Sequence, residues 1–439
     1  MKLHGTMTVN NDELYIGGVS CLELSKKYQT PLYVFDEALV RQNCREYIEY
    51  FKAREGKNKV AYAGKAFLPL YMCNLINEEQ MCLDVVSGGE LYTAYKSNFP
   101  MEKVFFHGNN KTKEEINMGL DLGVGKFVVD NFYELDLLEA LCEDKGKTQE
   151  IYFRITPGIE AHTHDYIKTG QIDSKFGFAL VNGDLFRAIE KLSEYKNIKL
   201  VGLHAHIGSQ IFDVEPYIDT VDIMMNLVKE IKEKFNIQLT EIDLGGGVGV
   251  YYSEGDKPKT IKEFCETIIT KAETSCKELG IEVPTLVIEP GRSIVANAGS
   301  TLYTVGSIKD IKDVRVYVSV DGGMTDNVRP SLYQASYECS IVNKINHEAM
   351  NHVTIAGKCC ESGDILIGDI NIMDIKSGDI LITTSTGAYG YSMSSNYNKI
   401  PRAAVVSVFD GNDKIICKRQ SYEDLLALEI KNREVYNKN

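Results

Sequence analysis

The stretch Val60-Ala61-Tyr62-Ala63-Gly64-Lys65-Ala66 is a short apolar run that ends near one lysine, with a glycine just before that lysine. A run of this length and composition is typical of a buried strand in a parallel sheet. Similar runs recur along the chain, and amphipathic helical stretches lie between them. The number of these runs, and the residues at their ends, therefore determine which α/β fold the sequence predicts.

Short β-rich runs alternate with helical patterns through the first part of the chain. Strand–helix alternation repeated about eight times predicts a parallel (β/α)8 barrel of the TIM type, and a doubly wound open sheet is the alternative on pattern alone. The predicted strands are Lys59–Ala63, Cys82–Val86, Val104–His107, Phe127–Asp130, Ile151–Ile155, Leu200–His204, Glu241–Leu244 and Leu286–Glu289. The predicted helices between them include Lys113–Leu122, Tyr133–Glu143, Tyr217–Phe235 and Ile261–Leu279.

After about residue 300 the pattern changes to strands joined by glycine and aspartate turns, without long helices. This change predicts a second, β-rich domain, which the N-terminal residues are expected to join. The predicted domains are a barrel over residues 31–300 and a β-rich domain over residues 1–30 and 301–439. The strands predicted for the β-rich domain are Thr301–Ile308, Val314–Val320, Val353–Ala356, Asp379–Thr384 and Ala403–Val408.

The composition is that of a globular protein that does not bind nucleic acid. Hydrophobic residues make up 44% and charged residues 25% of the 439 residues, and the net charge of −14 disfavours nucleic acid and anionic membranes as partners. The N-terminus lacks the apolar stretch of a signal peptide, and no run is long enough to span a bilayer. The eleven cysteines show no CxxC spacing, which favours reduced thiols. We therefore expect a cytoplasmic protein.

Polar, titratable residues stand at almost every predicted strand end. In a (β/α)8 barrel the carboxyl ends of the strands form the mouth, where active sites lie. So many titratable residues at one mouth predict an active site rather than a purely structural barrel. The residues at these positions are Lys65, Asp84, His107, Arg154, His204, His206, Gly245–Gly247 and Glu289.

Lys65 has two interpretations at such a strand end. Its amine can extend into solvent as that of an ordinary surface lysine, or it can point into a pocket at the barrel mouth. An amine that is held in a pocket and partly shielded from water can form a Schiff base with an aldehyde cofactor. The neighbouring motifs have to decide between the two.

Two glycine-containing loops follow the last two predicted strands, Gly245-Gly246-Gly247 and Glu289-Pro290-Gly291-Arg292. In barrels, backbone N–H groups of the loops after strands seven and eight often bind phosphate. The first loop does not match G-x-G-x-x-G, so a dinucleotide site is disfavoured. Glu289 could keep a pyridine nitrogen protonated and so make the ring an electron sink; a capping or salt-bridged glutamate is the alternative.

The pair His204 and His206 also has two interpretations. His-x-His, which recurs at His162-Thr163-His164, is compatible with a metal site, but no HExxH motif or Cys/His cluster supplies the remaining ligands. We therefore expect no metal. An imidazole stacked on an aromatic cofactor, with Ser209 donating to its phosphate, fits the pattern better.

Further candidate groups occur late in the chain. Arg329 and Tyr333 could bind a carboxylate, and Cys360-Glu361 places a thiol next to a carboxylate. Tyr389 presents an aromatic hydroxyl on a glycine-flanked loop. Each group alone could be structural, but together they suit a ligand with both an anionic and a cationic group, as in an amino acid.

Taken in order, these motifs resemble those of the diaminopimelate decarboxylases. This family belongs to the fold-type III group of pyridoxal-phosphate enzymes, which also includes alanine racemase and ornithine decarboxylase. The resemblance implies an alanine racemase-like fold, pyridoxal 5′-phosphate as cofactor, and decarboxylation of meso-2,6-diaminopimelate to L-lysine. A related carboxy-lyase acting on ornithine, arginine or lysine is the alternative. The resemblance extends from about Thr30 to Asn398 and rests on Tyr62–Ala66, His107–Lys111, His162–His164, His204–Gln210, Glu289–Arg292, Asp321–Asn327, Cys360–Asp364 and Gly387–Tyr391.

The resemblance also implies a role for each candidate residue. Lys65 would bind the cofactor aldehyde as a Schiff base, His206 would stack on the ring, and Glu289 would pair with its nitrogen. Cys360 would protonate the substrate carbon after carbon dioxide leaves. The other cofactor-binding residues would be Ser209, Gly246, Gly247, Gly291, Arg292 and Tyr389, and the substrate-binding residues would be Arg292, Arg329, Tyr333, Glu361 and Tyr389.

In this family the Cys360-Glu361 segment is contributed by a partner subunit, so the resemblance implies a homodimer with shared active sites. Two further alternatives are a catalytically silent cofactor-binding or regulatory protein, which the intact Cys360-Glu361 pair disfavours, and an alanine racemase, for which Glu289 makes too strong an electron sink. One departure is Phe67, where many relatives have asparagine. We interpret it as a variation of the pocket that leaves the role of Lys65 unchanged.

Overall fold

The computed structural model describes residues 1–51, 56–158 and 174–430, and the chain divides into two compact units. The β-rich unit comprises Met1–Glu37, Gly299–Thr386 and Met393–Asn439. The barrel unit comprises Ala38–Ala298 and Gly387–Ser392.

The chain begins in the β-rich unit. Strands β1 (Thr8–Asn10), β2 (Glu13–Ile16) and β3 (Val19–Ser20) form a small antiparallel sheet, and helix α1 (Cys21–Tyr28) follows. Strand β4 (Leu32–Asp36) is buried along its whole length and belongs to the large sheet of this unit. The division therefore falls after Glu37 and not at residue 31, because the apolar run of β4 pairs with strands from much later in the chain, which its sequence does not reveal.

Eight parallel strands close into a barrel, which confirms the predicted fold class. Neighbouring barrel strands pair in the order β5-β6-β7-β8-β9-β11-β12-β13, with β13 returning to β5, and β10 extends the sheet beside β9. The strands are β5 (Lys59–Ala63), β6 (Cys82–Val85), β7 (Val104–Phe106), β8 (Lys126–Val129), β9 (Gln149–Thr156), β10 (Phe178–Ala179), β11 (Ile198–Ala205), β12 (Glu241–Asp243) and β13 (Thr285–Ile288). The helices of this part are α2 (Glu37–Phe51), α3 (Leu70–Glu78), α4 (Gly88–Lys96), α5 (Lys113–Leu122), α6 (Phe132–Lys145), α7 (Asp184–Lys191), α8 (Glu215–Phe235), α9 (Ile261–Leu279) and α10 (Arg292–Val295).

The barrel is a packed core and not a pore. Buried side chains from six of its strands belong to one cluster, and they range from alanine to tyrosine in size. These residues are Ala61, Phe105, Val128, Tyr152, Val201 and Val287. With the interior closed, the room for a ligand lies at the strand ends.

Helices α5 and α9 begin and end at the predicted residues because each has clear local signals at both ends. A capping box formed by Thr112 and Glu115 starts α5, and left-handed Gly123 ends it. The same arrangement, with Thr260 at the start and Gly280 at the end, bounds α9. Among the helices of the described ranges, none combines the length and the apolar character that crossing a bilayer requires.

The rest of the β-rich unit is built on one large mixed sheet. Its strands and helices are β14 (Gly299–Ile311), β15 (Arg315–Val320), α11 (Arg329–Tyr333), β16 (Cys339–Ile341), β17 (Asn351–Ala356), β18 (Ile365–Ile372), β19 (Ile380–Thr383), β20 (Ala404–Phe409), β21 (Asn412–Cys417) and α12 (Tyr422–Leu426). The long β14 holds the sheet together because it pairs with β15, β19 and β4. The sequence pattern did not predict three strands of this sheet. Strand β16 is only three residues long, β18 contains a Gly-Asp pair, and β21 is largely exposed.

Candidate active site

A cavity lies at the carboxyl ends of the barrel strands and encloses about 430 Å³ of empty space, part of it open to solvent. Its walls come from the residues that follow β5, β11, β12 and β13, and from the segment Gly387–Ser392. Every residue that the sequence predicts to contact the cofactor lines this cavity: Lys65, His206, Ser209, Gly246, Gly247, Glu289, Gly291, Arg292 and Tyr389. Ala63, Val248 and Ser293 complete the lining.

Lys65 lies in a single 3₁₀ turn, Gly64–Ala66, directly after β5. Its neighbours in the turn are buried, whereas Lys65 itself is exposed and lines the cavity. The turn is held in place at Ala66, whose carbonyl accepts hydrogen bonds from Tyr389 N at 2.9 Å and from Ser392 Oγ at 3.0 Å. A short, anchored turn of this kind fixes the direction in which the amine leaves the backbone.

Phe67, the departure from the family pattern, does not line the cavity. Its side chain is 1% exposed and packs edge-on against Tyr391, with ring centroids 6.0 Å apart. Its carbonyl accepts a hydrogen bond from Tyr62 Oη at 2.7 Å. Phe67 therefore supports the turn behind Lys65 through packing, and that it leaves the role of Lys65 unchanged stays a prediction.

The glycine loop after β12 forms a cradle in which a side chain has no room. A Cβ at Gly246 would lie 2.1 Å from the carbonyl oxygen of Glu289, and one at Gly247 would lie 2.3 Å from that of Gly208. Gly247 also has a φ of +108°, a conformation that residues with a side chain rarely adopt. The loop can therefore pass close to a ligand with its bare backbone, as a phosphate requires.

Arg292 is fixed beside this loop by three aromatic or hydroxyl groups. Its Nη2 donates to Ser209 Oγ at 2.9 Å, and its Nη1 donates to Tyr252 Oη at 2.5 Å. Its guanidinium lies 4.8 Å from the ring centroid of Tyr389. A buried, oriented guanidinium next to a glycine loop gives this wall the positive charge that an anionic group needs, in a chain whose net charge is −14.

His206 presents its ring to the cavity in a fixed orientation. Gly246 N donates to His206 Nδ1 at 3.3 Å, so the ring of the neutral form carries its proton on Nε2. Burial lowers the pKa of His206 well below its ordinary value of 6.5, and the charges of Lys65 and Arg154 act in the same direction. A neutral, oriented imidazole suits stacking on an aromatic ring.

Glu289 lies at the centre of a buried network that spans several strands. His204 Nε2 lies 3.2 Å from Glu289 Oε2, and His107 Nε2 lies 2.6 Å from Glu289 Oε1. The contact with His107 is short but lacks hydrogen-bond geometry, so Oε1 has no hydrogen-bond partner among the described residues. A buried carboxylate oxygen at a cavity wall that has no hydrogen-bond partner among the described residues can accept a hydrogen bond from a ligand N–H.

The carboxyl groups around Glu289 differ in pKa. Burial by itself raises the pKa of Glu289, but its interactions with His107 and His204 outweigh burial and hold the pKa well below the ordinary value. Burial and the charge of Glu289 raise the pKa of Asp243 well above its ordinary value, and burial raises that of Asp84 to about 6. Burial also lowers the pKa of His204 to about 3. The pKa values of Glu289 and Asp243 are therefore pushed apart, which favours Glu289 over Asp243 as the group that carries the negative charge.

The two histidines of the His-x-His motif have different roles in the structure. His204 contacts Glu289, whereas His206 bonds to the glycine loop. Ligand atoms of His107, His204 and Glu289 lie within 4.8 Å of one another, a spacing that a metal ion could use. That no metal binds here stays a prediction, because it depends on Glu289 pairing with the ring nitrogen of a cofactor instead. The second motif, His162-Thr163-His164, lies outside the described residues.

The remaining predicted site residues lie in the β-rich unit. Arg329 begins α11; its Nε donates to Tyr337 Oη at 2.8 Å, and its guanidinium lies 5.4 Å from the ring centroid of Tyr333. Cys360 and Glu361 are exposed in the loop before β18. The backbone N–H of Cys360 donates to Asn398 Oδ1 at 2.7 Å.

The sequence pattern did not assign roles to His107, His204, Asp243 or Tyr252. His107 directly follows β7, and His204 and Asp243 lie in β11 and β12; no spacing along the chain shows that they converge on Glu289. Their position at strand ends was the only signal. Tyr252 follows the glycine loop closely, and this position beside a candidate phosphate cradle could have indicated it.

Comparisons with known proteins show which proteins this chain is similar to. A family model described as pyridoxal-dependent decarboxylase, pyridoxal binding domain, matches residues 37–296. A diaminopimelate decarboxylase from Bacillus subtilis (strain 168) is 50% identical over 431 residues, which is 98% of each chain. A diaminopimelate decarboxylase from Halalkalibacterium halodurans is 48% identical over 431 residues, which is again 98% of each chain. The crystal structure of diaminopimelate decarboxylase from M. jannaschii in complex with L-lysine matches with a TM-score of 0.91 and 38% identity, covering 97% of this chain and 98% of that one.

Proposed function

This chain belongs to the diaminopimelate decarboxylase family of pyridoxal-dependent decarboxylases, and we propose on that premise how its own residues divide the work of the reaction. It is a carboxy-lyase that uses pyridoxal 5′-phosphate to convert meso-2,6-diaminopimelate to L-lysine and carbon dioxide, the last step of lysine biosynthesis. The observation that carries the proposed division is the meeting of Lys65, His206 and Glu289 with the glycine loop in one cavity.

The residues present fit the cofactor. The amine of Lys65 would hold its aldehyde, the cradle at Gly246 and Gly247 would take its phosphate, and the unsatisfied oxygen of Glu289 would accept its ring N–H. When bound, the cofactor supplies an electron-withdrawing ring that stabilises the negative charge left on the substrate carbon. Glu289, whose pKa is held well below the ordinary value, would keep that ring protonated, and His206 would cover one face of it.

In our proposal the β-rich unit recognises the substrate. The guanidinium of Arg329, 8% exposed and aligned by Tyr337, would bind the distal carboxylate, with Tyr333 beside it. The carboxylate of Glu361 would bind the distal ammonium. Arg292 and Tyr389, which stack on each other at the cavity wall, would contact the substrate from the barrel unit. The positive charge of Arg329 and the negative charge of Glu361 together suit a substrate with a second amino-acid centre.

Cys360 would donate the proton that replaces carbon dioxide. The thiol is free and exposed, as a group has to be if it reaches a cavity in another subunit. We therefore propose a homodimer with shared active sites, in which the Cys360-Glu361 segment completes the partner's cavity. The eleven cysteines show no CxxC spacing, which supports reduced thiols, and we propose the cytoplasm.

The experiment that tests the reaction combines a spectrum with product analysis. The purified protein is expected to show the absorbance of covalently bound pyridoxal phosphate and to release equal amounts of carbon dioxide and L-lysine from meso-diaminopimelate. Turnover of L-ornithine, L-arginine or L-lysine is expected to be negligible. A preference for one of these over meso-diaminopimelate would contradict the substrate assignment.

Arg329→Ala tests how the substrate is recognised. Removal of a buried, charge-assisted contact is expected to raise KM for meso-diaminopimelate about 10- to 100-fold, with a smaller change in kcat. The matched control is Arg315→Ala, which removes a half-exposed arginine of the same unit that lies 3.6 Å from Asp369. Steady-state kinetics of both variants provide the measurement. An unchanged KM in Arg329→Ala would remove Arg329 from the substrate site.

A further inference from the structure

Asp364 is a buried carboxylate at the end of the loop that carries Cys360 and Glu361. It is 3% exposed and lies just before β18. Each of its oxygens accepts one backbone N–H: Oδ1 from Met324 at 2.6 Å, and Oδ2 from Cys359 at 2.7 Å. Because both oxygens accept, the group is used as the carboxylate. Within the described ranges it forms no ion pair, so these N–H groups compensate for its burial.

Two glycines leave the room that this carboxylate occupies. A Cβ at Gly357 would lie 2.2 Å from Asp364 Oδ2, and a Cβ at Gly323 would lie 2.5 Å from the same oxygen. The backbone of Gly357 also donates to the carbonyl of Asp364 at 2.9 Å. The surrounding chain is therefore shaped around the carboxylate, and a residue larger than glycine at either position would displace it.

The two N–H donors belong to segments with different roles. Cys359 begins the acid loop, which we define as Cys359–Glu361. Met324 belongs to the turn Gly322–Met324, which leads into the helix that begins with Arg329. A second contact lies directly before the acid loop, because Lys358 N donates to the carbonyl of Gly322 at 2.9 Å. A single side chain thus connects the segment of the proposed proton donor to the segment of the proposed carboxylate-binding arginine.

We propose that Asp364 is a positioning residue for the reaction: its carboxylate fixes the acid loop to the turn Gly322–Met324 of the same chain, and so holds Cys360 in the position from which it reaches the substrate in the partner's cavity. This inference rests on the proposed function of Cys360. Asparagine in place of Asp364 keeps the shape but turns one oxygen into an NH₂ group, which faces a backbone N–H instead of accepting from it. The acid loop then loses one of its anchors, while the cofactor cavity keeps all of its own residues.

The test uses Asp364→Asn in the holoenzyme. We expect kcat to fall about 10- to 100-fold, the size expected for the loss of one charge-assisted hydrogen bond, with the cofactor absorbance retained. We also expect Cys360 to react with iodoacetamide at least about threefold faster, measured by mass spectrometry of its peptide, because the loop that holds it is loosened. The matched control is Asp379→Asn, which changes a carboxylate of the same unit that accepts from Lys376 N at 2.7 Å. This control is expected to leave the alkylation rate of Cys360 unchanged.

Two further measurements keep the test decisive if Asp364→Asn does not fold. Gly357→Ala places a methyl group against Oδ2 and is expected to give the same loss of kcat and the same faster alkylation. In the unaltered holoenzyme, hydrogen exchange at the amides of Met324 and Cys359 is expected to be slow, although neither lies in a helix or strand. A folded Asp364→Asn or Gly357→Ala with unchanged kcat and alkylation, or fast exchange at both amides, would overturn the proposal.

Cys360→Ser separates this inference from the function on which it rests. If that variant keeps full turnover, Cys360 is not the proton donor, and the proposed function fails at this residue. A faster alkylation of Cys360 in Asp364→Asn would still support the anchoring of the loop. If Cys360→Ser turns over slowly but Asp364→Asn leaves the alkylation of Cys360 unchanged, the proposed function of Cys360 stands and only the role of Asp364 is contradicted.

Discussion

Lys65→Ala is expected to lose the absorbance of the covalently bound cofactor and to reduce decarboxylation by on the order of 10³-fold or more. Among the described residues that line the cavity, Lys65 alone carries an amine. Its turn is anchored by hydrogen bonds to the carbonyl of Ala66, so no neighbouring lysine can take its place without a rearrangement of the backbone. The spectrum of the purified variant and release of carbon dioxide provide the measurements.

The control for this variant is a lysine on β5, the strand that precedes the turn of Lys65. Lys59 begins β5, and its amine lies 2.7 Å from Glu241 Oε2, at the opposite end of the strand from the cavity. Lys59→Ala is expected to keep the absorbance and to turn over at a rate close to that of the unaltered enzyme. If Lys65→Ala kept both absorbance and turnover, the cavity would not be the site of the reaction.

Glu289→Gln is expected to bind the cofactor but to lower kcat by about 10²- to 10³-fold. The glutamine has the same shape, yet it cannot carry the negative charge that keeps a ring nitrogen protonated. His204 and His107 remain around it, so the loss reports the charge and not the packing. The absorbance maximum of the bound cofactor is also expected to shift relative to the unaltered enzyme, because the protonation of the ring changes.

Glu241→Gln is the matched control for Glu289→Gln. Glu241 begins β12, and its ion pair with Lys59 is remote from the cavity lining. We expect a small change in stability and a kcat within about twofold of the unaltered value. A kcat in Glu289→Gln as high as in this control would show that the ring nitrogen does not depend on Glu289.

The barrel could be predicted from the sequence because its elements carry local signals. Short buried runs mark all eight strands, and capping residues such as Thr112 and Gly123 fix the ends of α5. In the β-rich unit the signals are weaker. Strand β4 resembles a barrel strand in sequence, and its pairing with β14 is a long-range contact that local patterns do not contain.

In the candidate site, too, some residues could be predicted from the sequence and others could not. Lys65, the glycine loop and Glu289 stand in motifs, so residue type and spacing were enough to predict them. The contacts of His107 and His204 with Glu289 could not be predicted, because they depend on the closure of the barrel and not on spacing along the chain. The burial of Asp364 between Met324 and Cys359 is a second case, since its sequence context suggests an ordinary turn.

The path of the chain through its two units has a consequence for biosynthesis. The chain leaves the barrel unit at Ala298 and returns to it only for Gly387–Ser392, where Tyr389 bonds to Ala66 and stacks on Arg292. A nascent chain emerges from the ribosome N-terminus first, so all eight barrel strands are made long before this returning segment. The cavity therefore stays incomplete until Gly387–Ser392 has been made. Premature termination between Ala298 and Gly387 would yield a chain that has all eight barrel strands but lacks Tyr389, one of the residues that line the cavity.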